Sequence, residues 1–345
     1  MKFSKAAEKI IVENLNVKKD ERFFIITDRR SDFAFNLSNA CWKRAEELGI
    51  DAKLIIQKRI DMGEPDPATV RVLRNLEKND CLFFCTDHKI GNIYGKFEKG
   101  FRNYMRKTGA RFATLNDLAS LKKSDHETML EALMIGAETM NIVGAKIKEI
   151  FEDRDSVEIF GISGTSLKFS LKGRKPWFNS GVFHTPGSGG NLPAGNISLF
   201  PIEDSVNGTA HIDIDTKVQA ETIKLKKPLL FRIENGLIAG IEGPDDVVHL
   251  IEDDLNNFAF LNANSGFDSL AIRRIAEIGI GLIPGKPIGL GPFDSKLLGT
   301  AFIANGNTFG KGGKNRCRGH RDHSFWLKSI KIGKKILKPA DFYKL

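Results

Sequence analysis

The stretch GHRDHSFWL (319–327) concentrates the side chains best suited to chemistry. On an extended backbone alternate residues share a face. His320 and Asp322 can then offer an imidazole and a carboxylate to one cation, while Arg321 points away and His323 lies on the side of Arg321. An HxD pair alone fits an innocent surface strand as well as half of a metal site. Just upstream, KGGKNRCRGHR (311–321) carries five basic residues, Lys311, Lys314, Arg316, Arg318 and Arg321. Glycines let such a loop bring backbone N–H groups and cations close to a ligand. The pattern points to a substrate carboxylate recognised by Lys314, Arg316, Arg318 and Arg321, and it equally describes a solvated basic turn.

The elements that position these residues fall into two textures. Up to residue 152, helix and strand alternate. RFFIIT (22–27), DAKLII (51–56), CLFFCT (81–86) and ARFATL (110–115) read as strands, the first a continuous apolar run of the kind buried on both faces of a parallel sheet. Helical spacing covers Ala6 to Leu15, Ser31 to Leu48 with Gly49 as its stop, 67–78, 96–108, and a long stretch from Ser124 to Phe151. This predicts an N-terminal α/β domain, residues 1–152, with a mostly parallel sheet covered on both faces. From 153 to 345 glycine becomes frequent and short β segments dominate, with one helix near 245–257. RIENGLIAGI sets Asn-Gly between two apolar runs, a strong hairpin signal. The second domain is therefore expected to be β-rich α+β and to carry the site. GSGGN (187–191) reads as a loop, a rim or a connector.

Composition narrows the function classes. With 345 residues, 41% hydrophobic and 28% charged, the chain is an ordinary globular one with a large core. No signal-like or spanning apolar run occurs, so a cytoplasmic protein without a membrane partner is expected. Cys41, Cys81, Cys85 and Cys317 form no metal-finger pattern and are expected to pack as small apolar side chains. The net charge of +9 comes without zinc-finger spacing, an RNA-binding aromatic motif or a basic heptad array, which argues against nucleic acid. Neither GxGxxG after the first strand nor GxxxxGK[ST] is present, against nucleotide binding. HRD also begins a protein-kinase catalytic loop, but the Asn required five residues after its Asp is Leu327.

Four further segments bear on the site: NLPAGNISLFPIEDSVNG (191–208), IAEIGIGLIPG (275–285), GTAFIANG (299–306) and GKGGKNRCRGHRD (310–322). In this order they resemble signature blocks of the leucyl aminopeptidase T family of metallopeptidases, and also the related 2,5-dihydroxypyridine dioxygenases. The resemblance spans most of the chain in layout and is specific in the C-terminal half. It implies an N-terminal α/β domain, a metal-bearing C-terminal domain and a homodimer.

It also implies a ligand set. Glu277, His320 and Asp322 match family metal ligands, whereas three ligand positions of the two-metal peptidases are occupied here by Asn196, Phe302 and Phe309. Phenylalanine cannot coordinate, and three protein ligands hold two cations poorly, so one divalent ion (Zn, Co, Mn or Fe) is expected. The expected activity is a metal-dependent, aminopeptidase-like hydrolase acting on a small molecule or short peptide. A mononuclear Fe(II) ring-cleaving dioxygenase and a metal-free binding or structural descendant are the alternatives. Glu203 and Asp204 are read as turn-fixing or paired with Lys or Arg, and His88, His126, His184, His211 and His249 show no ligand spacing.

Overall fold

The structure, a computed structural model, describes the chain apart from residues 1, 59, 61, 62, 89, 92–96, 98–100, 220, 310 and 311. It divides into two compact units, one comprising 1–140 with 179–194 and the other 141–178 with 195–345. The chain thus passes between units three times, and a single boundary at 152 does not describe it.

In the first unit, strands β1 (Arg22–Thr27), β2 (Asp51–Ile56), β3 (Cys81–Cys85) and β4 (Arg111–Leu115) are parallel. The expected connector GSGGN instead supplies β8 (Gly189–Asn191), which pairs parallel to β4 and completes the order β2-β1-β3-β4-β8. β1, β3 and β4 are buried almost throughout, as a sheet covered on both faces requires. Helix α1 (Lys2–Lys9) packs on α2 (Asp32–Glu47), which covers β1 and β3. The opposite side holds Phe24, Ile26, Leu82, Phe84 and Phe112 against Leu73 of α3 (Pro67–Arg74) and Met105 of α4 (Phe101–Thr108). The start of the expected helix at 96–108 lies outside the described residues at 96 and 98–100.

Local chemistry sets these boundaries. The Ser31 hydroxyl accepts from the Ala34 N–H at the start of α2, and Asp66 caps α3 ahead of Pro67. Buried Arg111 donates through Nη1 and Nη2 to Glu21 (3.0 and 2.5 Å) and through Nε to the Leu15 carbonyl (3.1 Å), tying the start of β4 to the end of the first helical segment. Burial pushes the Glu21 carboxyl up, but the Arg111 hydrogen bonds and the Lys18 N–H more than offset this and hold it below the usual range. The long helix expected over 124–151 is two helices, α5 (His126–Leu133) and α6 (Ala137–Phe151), parted at Gly136, a poor helix former.

The second unit is an antiparallel sheet. In order its strands are β14 (Leu237–Glu242), β13 (Leu229–Glu234), β10 (Asn207–Ile212), β6 (Ser166–Phe169), β5 (Val157–Gly161), β17 (His320–Ile332), β16 (Thr300–Gly306), β15 (Ile275–Gly281), β9 (Asn196–Leu199) and β7 (Trp177–Asn179). β11 (Asp215–Val218) pairs with β17 and β12 (Glu221–Lys224), and β18 (Lys335–Leu337) with β17. The Asn-Gly hairpin joins β13 to β14 as expected, both turn residues having positive φ (49° at Asn235, 76° at Gly236), as the tight turn demands. Helix α7 (Asp245–Ala263) and the short α8 (Gly291–Asp294) complete the unit. The fold is the two-part α/β and β-rich α+β arrangement the sequence implies. All four cysteines are buried free thiols. Among the described residues no helix is long and apolar enough to cross a membrane.

Candidate metal centre

The strand register brings the candidate residues to one face. β16 faces β17 with Gly306 opposite His320, Ala304 opposite Asp322 and Phe302 opposite Ser324. Next to it, β15 sets Glu277 opposite Ala304 and Gly279 opposite Phe302, and β9 sets Ser198 opposite Gly279 and Asn196 opposite Gly281. Opposed residues and their i±2 neighbours project to the same side. His320, Asp322, Glu277, Phe302 and Asn196 therefore share a face, although 126 residues separate the first from the last in sequence.

Side-chain geometry sharpens the convergence. His320 Nε2 lies 3.2 Å from Asp322 Oδ1 and 3.6 Å from Glu277 Oε2. His320 Nδ1 contacts the Asn307 carbonyl oxygen at 3.0 Å, which requires the hydrogen on Nδ1. In the neutral ring Nε2 then presents its lone pair to two carboxylates, an arrangement that a proton or a cation must reconcile. Glu277 is buried, and its Oε2 has no hydrogen-bond partner.

Ligand bonds of about 2.0–2.2 Å set donor atoms roughly 3–3.5 Å apart, a range that includes the His320–Asp322 distance and that the His320–Glu277 distance slightly exceeds. Among the described residues no group of three or more His, Cys, Asp or Glu is arranged so that it could hold a metal ion as it stands. The fit consists of two carboxylates that each approach one imidazole nitrogen. His320 and Asp322 stay partly open to solvent, with 26% and 41% of their side chains exposed, so an ion there keeps room for a further ligand.

Phe302 occupies the space beside Glu277. A Cβ on Gly279 would stand 1.9 Å from Phe302 Cε1, so the ring lies directly across the bare glycine. Asn196, on the far side of Gly279, is buried with its amide directed to Ser198. Phe309 is half-exposed, and the Arg316 guanidinium sits 3.8 Å from its ring centroid.

The opposite face is structural. Arg321, expected at the substrate, is buried and donates through Nε and Nη2 to Asp254 of α7 (2.6 and 3.1 Å) while stacking over Phe258. The alternation that aims His320 to one face of β17 aims Arg321 to the opposite face, where Asp254 holds it. Lys314 and Arg316 are exposed and line a cavity of about 390 Å³ with Glu203, Phe267, Asp268 and Asn315, a lining that includes none of Glu277, His320 or Asp322. Arg318 is exposed, and Lys311 lies outside the described residues. Glu203 does what its sequence context suggests, receiving Arg174 Nη2 at 2.5 Å and the Lys314 N–H at 2.7 Å.

His323 is fully buried and held at both ends, by the Thr216 hydroxyl at Nδ1 (2.6 Å) and Asn305 Oδ1 at Nε2 (2.7 Å). The amide oxygen only accepts, so the hydrogen is on Nε2. Burial pushes this imidazole down to about 3. A depressed pKa contributes stability that is complete above the ordinary 6.5 and is lost as pH falls towards 3, because only the unfolded chain takes the proton. His323→Gln, which cannot titrate, should be less stable at pH 7.5 yet show a shallower acid loss between pH 6.5 and 4.5 in denaturant titrations. Parallel pH profiles for the two proteins would disprove the burial argument.

Sequence reasoning missed Lys296, Asp215 and Asp294, all buried near these groups. Burial lifts the Asp215 carboxyl to about 7, helped by the charges of Asp294 and Asp322. Asp294 is also raised by burial, against the pull of the Ile288 and Gly289 N–H groups. No spacing in the sequence marks them, and Asp215 opens β11 just after β10 ends at Ile212.

A parallel α/β unit joined to an antiparallel unit with a His-and-carboxylate face defines the class of protein. The chain belongs to the 2,5-dihydroxypyridine 5,6-dioxygenase (NicX) family, whose model matches residues 108–285. That match includes Asn196 and Glu277 and ends before Phe302, His320 and Asp322. The fold is similar to 2,5-dihydroxypyridine dioxygenase from Pseudomonas putida KT2440, with TM-score 0.71, 18% identity, and coverage of 98% of this chain and 96% of that one. It is also similar to wild-type AmpT from Thermus thermophilus, with TM-score 0.65, 14% identity, and coverage of 95% and 94%. No curated protein matches the chain.

Proposed function

We propose that the protein is a mononuclear metal-dependent oxygenase acting on a small hydroxylated aromatic ring, with Glu277, His320 and Asp322 holding one divalent ion. The observation that carries this reading is Phe302 lying across Gly279. It fills the face next to Glu277 with carbon and leaves a single set of three donors. An Fe²⁺ bound there would supply open positions for substrate and dioxygen. The chain's own residues do the rest. Asn307 holds His320 with Nε2 towards the carboxylates, Glu277 brings charge from the buried side, and Phe302 excludes water from part of the face. Membership in a dioxygenase family supports this order of preference.

The hydrolase reading is second, and Glu277 favours it. One imidazole with two carboxylates suits Zn²⁺, Co²⁺ or Mn²⁺ as well as iron, and hydrolysis needs only Lewis acidity. In either case Lys314, Arg316 and Arg318 are exposed cations of the loop that leads into β17 and could meet a substrate carboxylate.

The test reconstitutes metal-free protein with each ion in turn and follows oxygen uptake with dihydroxylated pyridines and benzenes, alongside cleavage of aminoacyl amides. Oxygen consumption with Fe²⁺ alone is the expected result. Amide cleavage supported by Zn²⁺, Co²⁺ or Mn²⁺ without oxygen uptake would replace the oxygenase by the hydrolase. Two metals per chain in elemental analysis would overturn the single-ion site.

A further inference from the structure

Lys314 and Arg316 stand on a loop that the rest of its unit holds in place. The side-chain amide of buried Asn315 donates to the carbonyls of Ala271 (2.8 Å) and Gly306 (2.7 Å). The Asn315 main-chain carbonyl accepts from the Thr308 and Phe309 N–H groups (3.1 and 3.0 Å). Ahead of it, buried Arg174 donates through Nη1 to the Gly312 carbonyl (2.9 Å) and through Nη2 to Glu203, whose other oxygen accepts the Lys314 N–H. Gly312 is pressed against Phe200, since a Cβ there would stand 2.5 Å from Phe200 Cδ2. The two cations are therefore presented from a fixed backbone.

The cavity beside this loop, about 390 Å³, falls in the ordinary range of small-ligand sites, roughly 300–1,000 Å³. Half-buried Phe267, Asp268 and Ala271, which follow α7, also line it. Glu203 is already engaged through both oxygens, and Asp268 accepts the Leu270 N–H through Oδ1 (2.9 Å). The cations are not engaged in this way. Among the described residues neither the Lys314 ammonium nor the Arg316 guanidinium pairs with a carboxylate. Arg316 Cζ lies 3.8 Å from the Phe309 ring centroid, a distance that requires stacking. Stacking uses the flat side of the guanidinium and leaves its in-plane N–H fork for an acceptor.

We propose that this cavity is a binding site of its own for a small aromatic monocarboxylate, its carboxylate held by Arg316 and Lys314 and its ring by Phe267. The guanidinium fork matches the two oxygens of a carboxylate, and the Phe267 ring offers an aromatic surface to a planar body. Exposed Asp268 on the rim opposes a second negative charge, which favours a monoanion over a phosphate. The site does not rest on the metal reading, because none of Glu277, His320 and Asp322 lines it. It gives Lys314 and Arg316 an anion of their own, whatever the metal face binds.

The test is a calorimetric titration of the full, EDTA-treated chain with benzoate, benzamide and inorganic phosphate. Benzoate should bind saturably at one site per chain. Arg316→Gln should weaken it about tenfold, the size of one charge-assisted contact at a partly open site. Lys314→Gln should cost less, because a lysine is a point charge without the fork. Benzamide lacks the charge and phosphate lacks the ring, so each should bind at least about tenfold more weakly than benzoate. Both substituted residues are exposed, and thermal melts matching wild type confirm that the variants fold. No saturable benzoate binding would overturn the site, as would equal benzoate affinity in wild type and both variants. Phosphate binding as tight as benzoate would overturn the aromatic monocarboxylate as its ligand. A loss of benzoate binding in His320→Ala but not in Arg316→Gln would move the anion to the metal face and overturn a separate site.

Discussion

His320→Ala is expected to weaken divalent-metal binding at least about 100-fold, since even partners outside the ligand shell cost roughly 10–100-fold when removed. The imidazole is the point on which both carboxylates converge, at 3.2 Å from Asp322 and 3.6 Å from Glu277. Without it two oxygens remain on different strands with no nitrogen donor between them, and transition-metal affinity of such a pair is poor. The fold should tolerate the change. His320 is partly exposed, and the hydrogen bond from its ring to the Asn307 carbonyl contributes about 0.5–1.5 kcal/mol. Isothermal titration with Mn²⁺ and Co²⁺ measures the effect directly, with a circular dichroism melt as the control for folding. Unchanged metal affinity in a folded His320→Ala protein would remove the site. Glu277→Gln should give an intermediate loss, because an amide oxygen still coordinates but carries no charge.

The parts of this site that could be read from sequence are those set by local periodicity. HRDH on a strand already places His320 and Asp322 together and Arg321 and His323 behind them, and the register of β17 against β16 keeps that arrangement before the irregularity between Leu327 and Ser329. Glu277 came only through family resemblance, yet the register of β15 against β16 puts it on the same face. What stayed hidden depends on missing side chains. Gly279 makes room for the Phe302 ring and Gly281 for the Lys296 peptide, and a glycine's neighbours across a sheet leave no local mark in the sequence. GGN at 189–191 is a strand for a similar reason. It has no β-forming side chains, and its place beside β4 comes from backbone pairing across some 77 residues, as between Phe112 and Gly189. The boundary near 152 failed with it, because a strand that returns to the first sheet cannot be anticipated from a change of texture along the chain.

The ion pair behind the site carries the largest expected effect on stability. Arg321 and Asp254 are both buried and joined by two hydrogen bonds, and a third, from Nη1, reaches the carbonyl of His320 itself at 3.1 Å. This cluster fastens α7 to β17 on the side opposite His320 and Asp322. Removing one partner strands the other charge away from water, which costs about 3–5 kcal/mol for a buried pair. Arg321→Ala and Asp254→Ala should each lose that much in denaturant unfolding, the arginine variant slightly more because its stacking on Phe258 goes as well. The double replacement Arg321→Met with Asp254→Leu should lose much less than the two single changes together, since neither charge is then left buried alone. Arg321→Ala should also loosen the main chain at His320 and weaken Co²⁺ binding, whereas the double variant, with its apolar contact restored, should recover part of that affinity. Losses below about 1 kcal/mol for both single variants, the range of exposed pairs, would mean that solvent reaches this pair and that α7 is held by its apolar contacts alone.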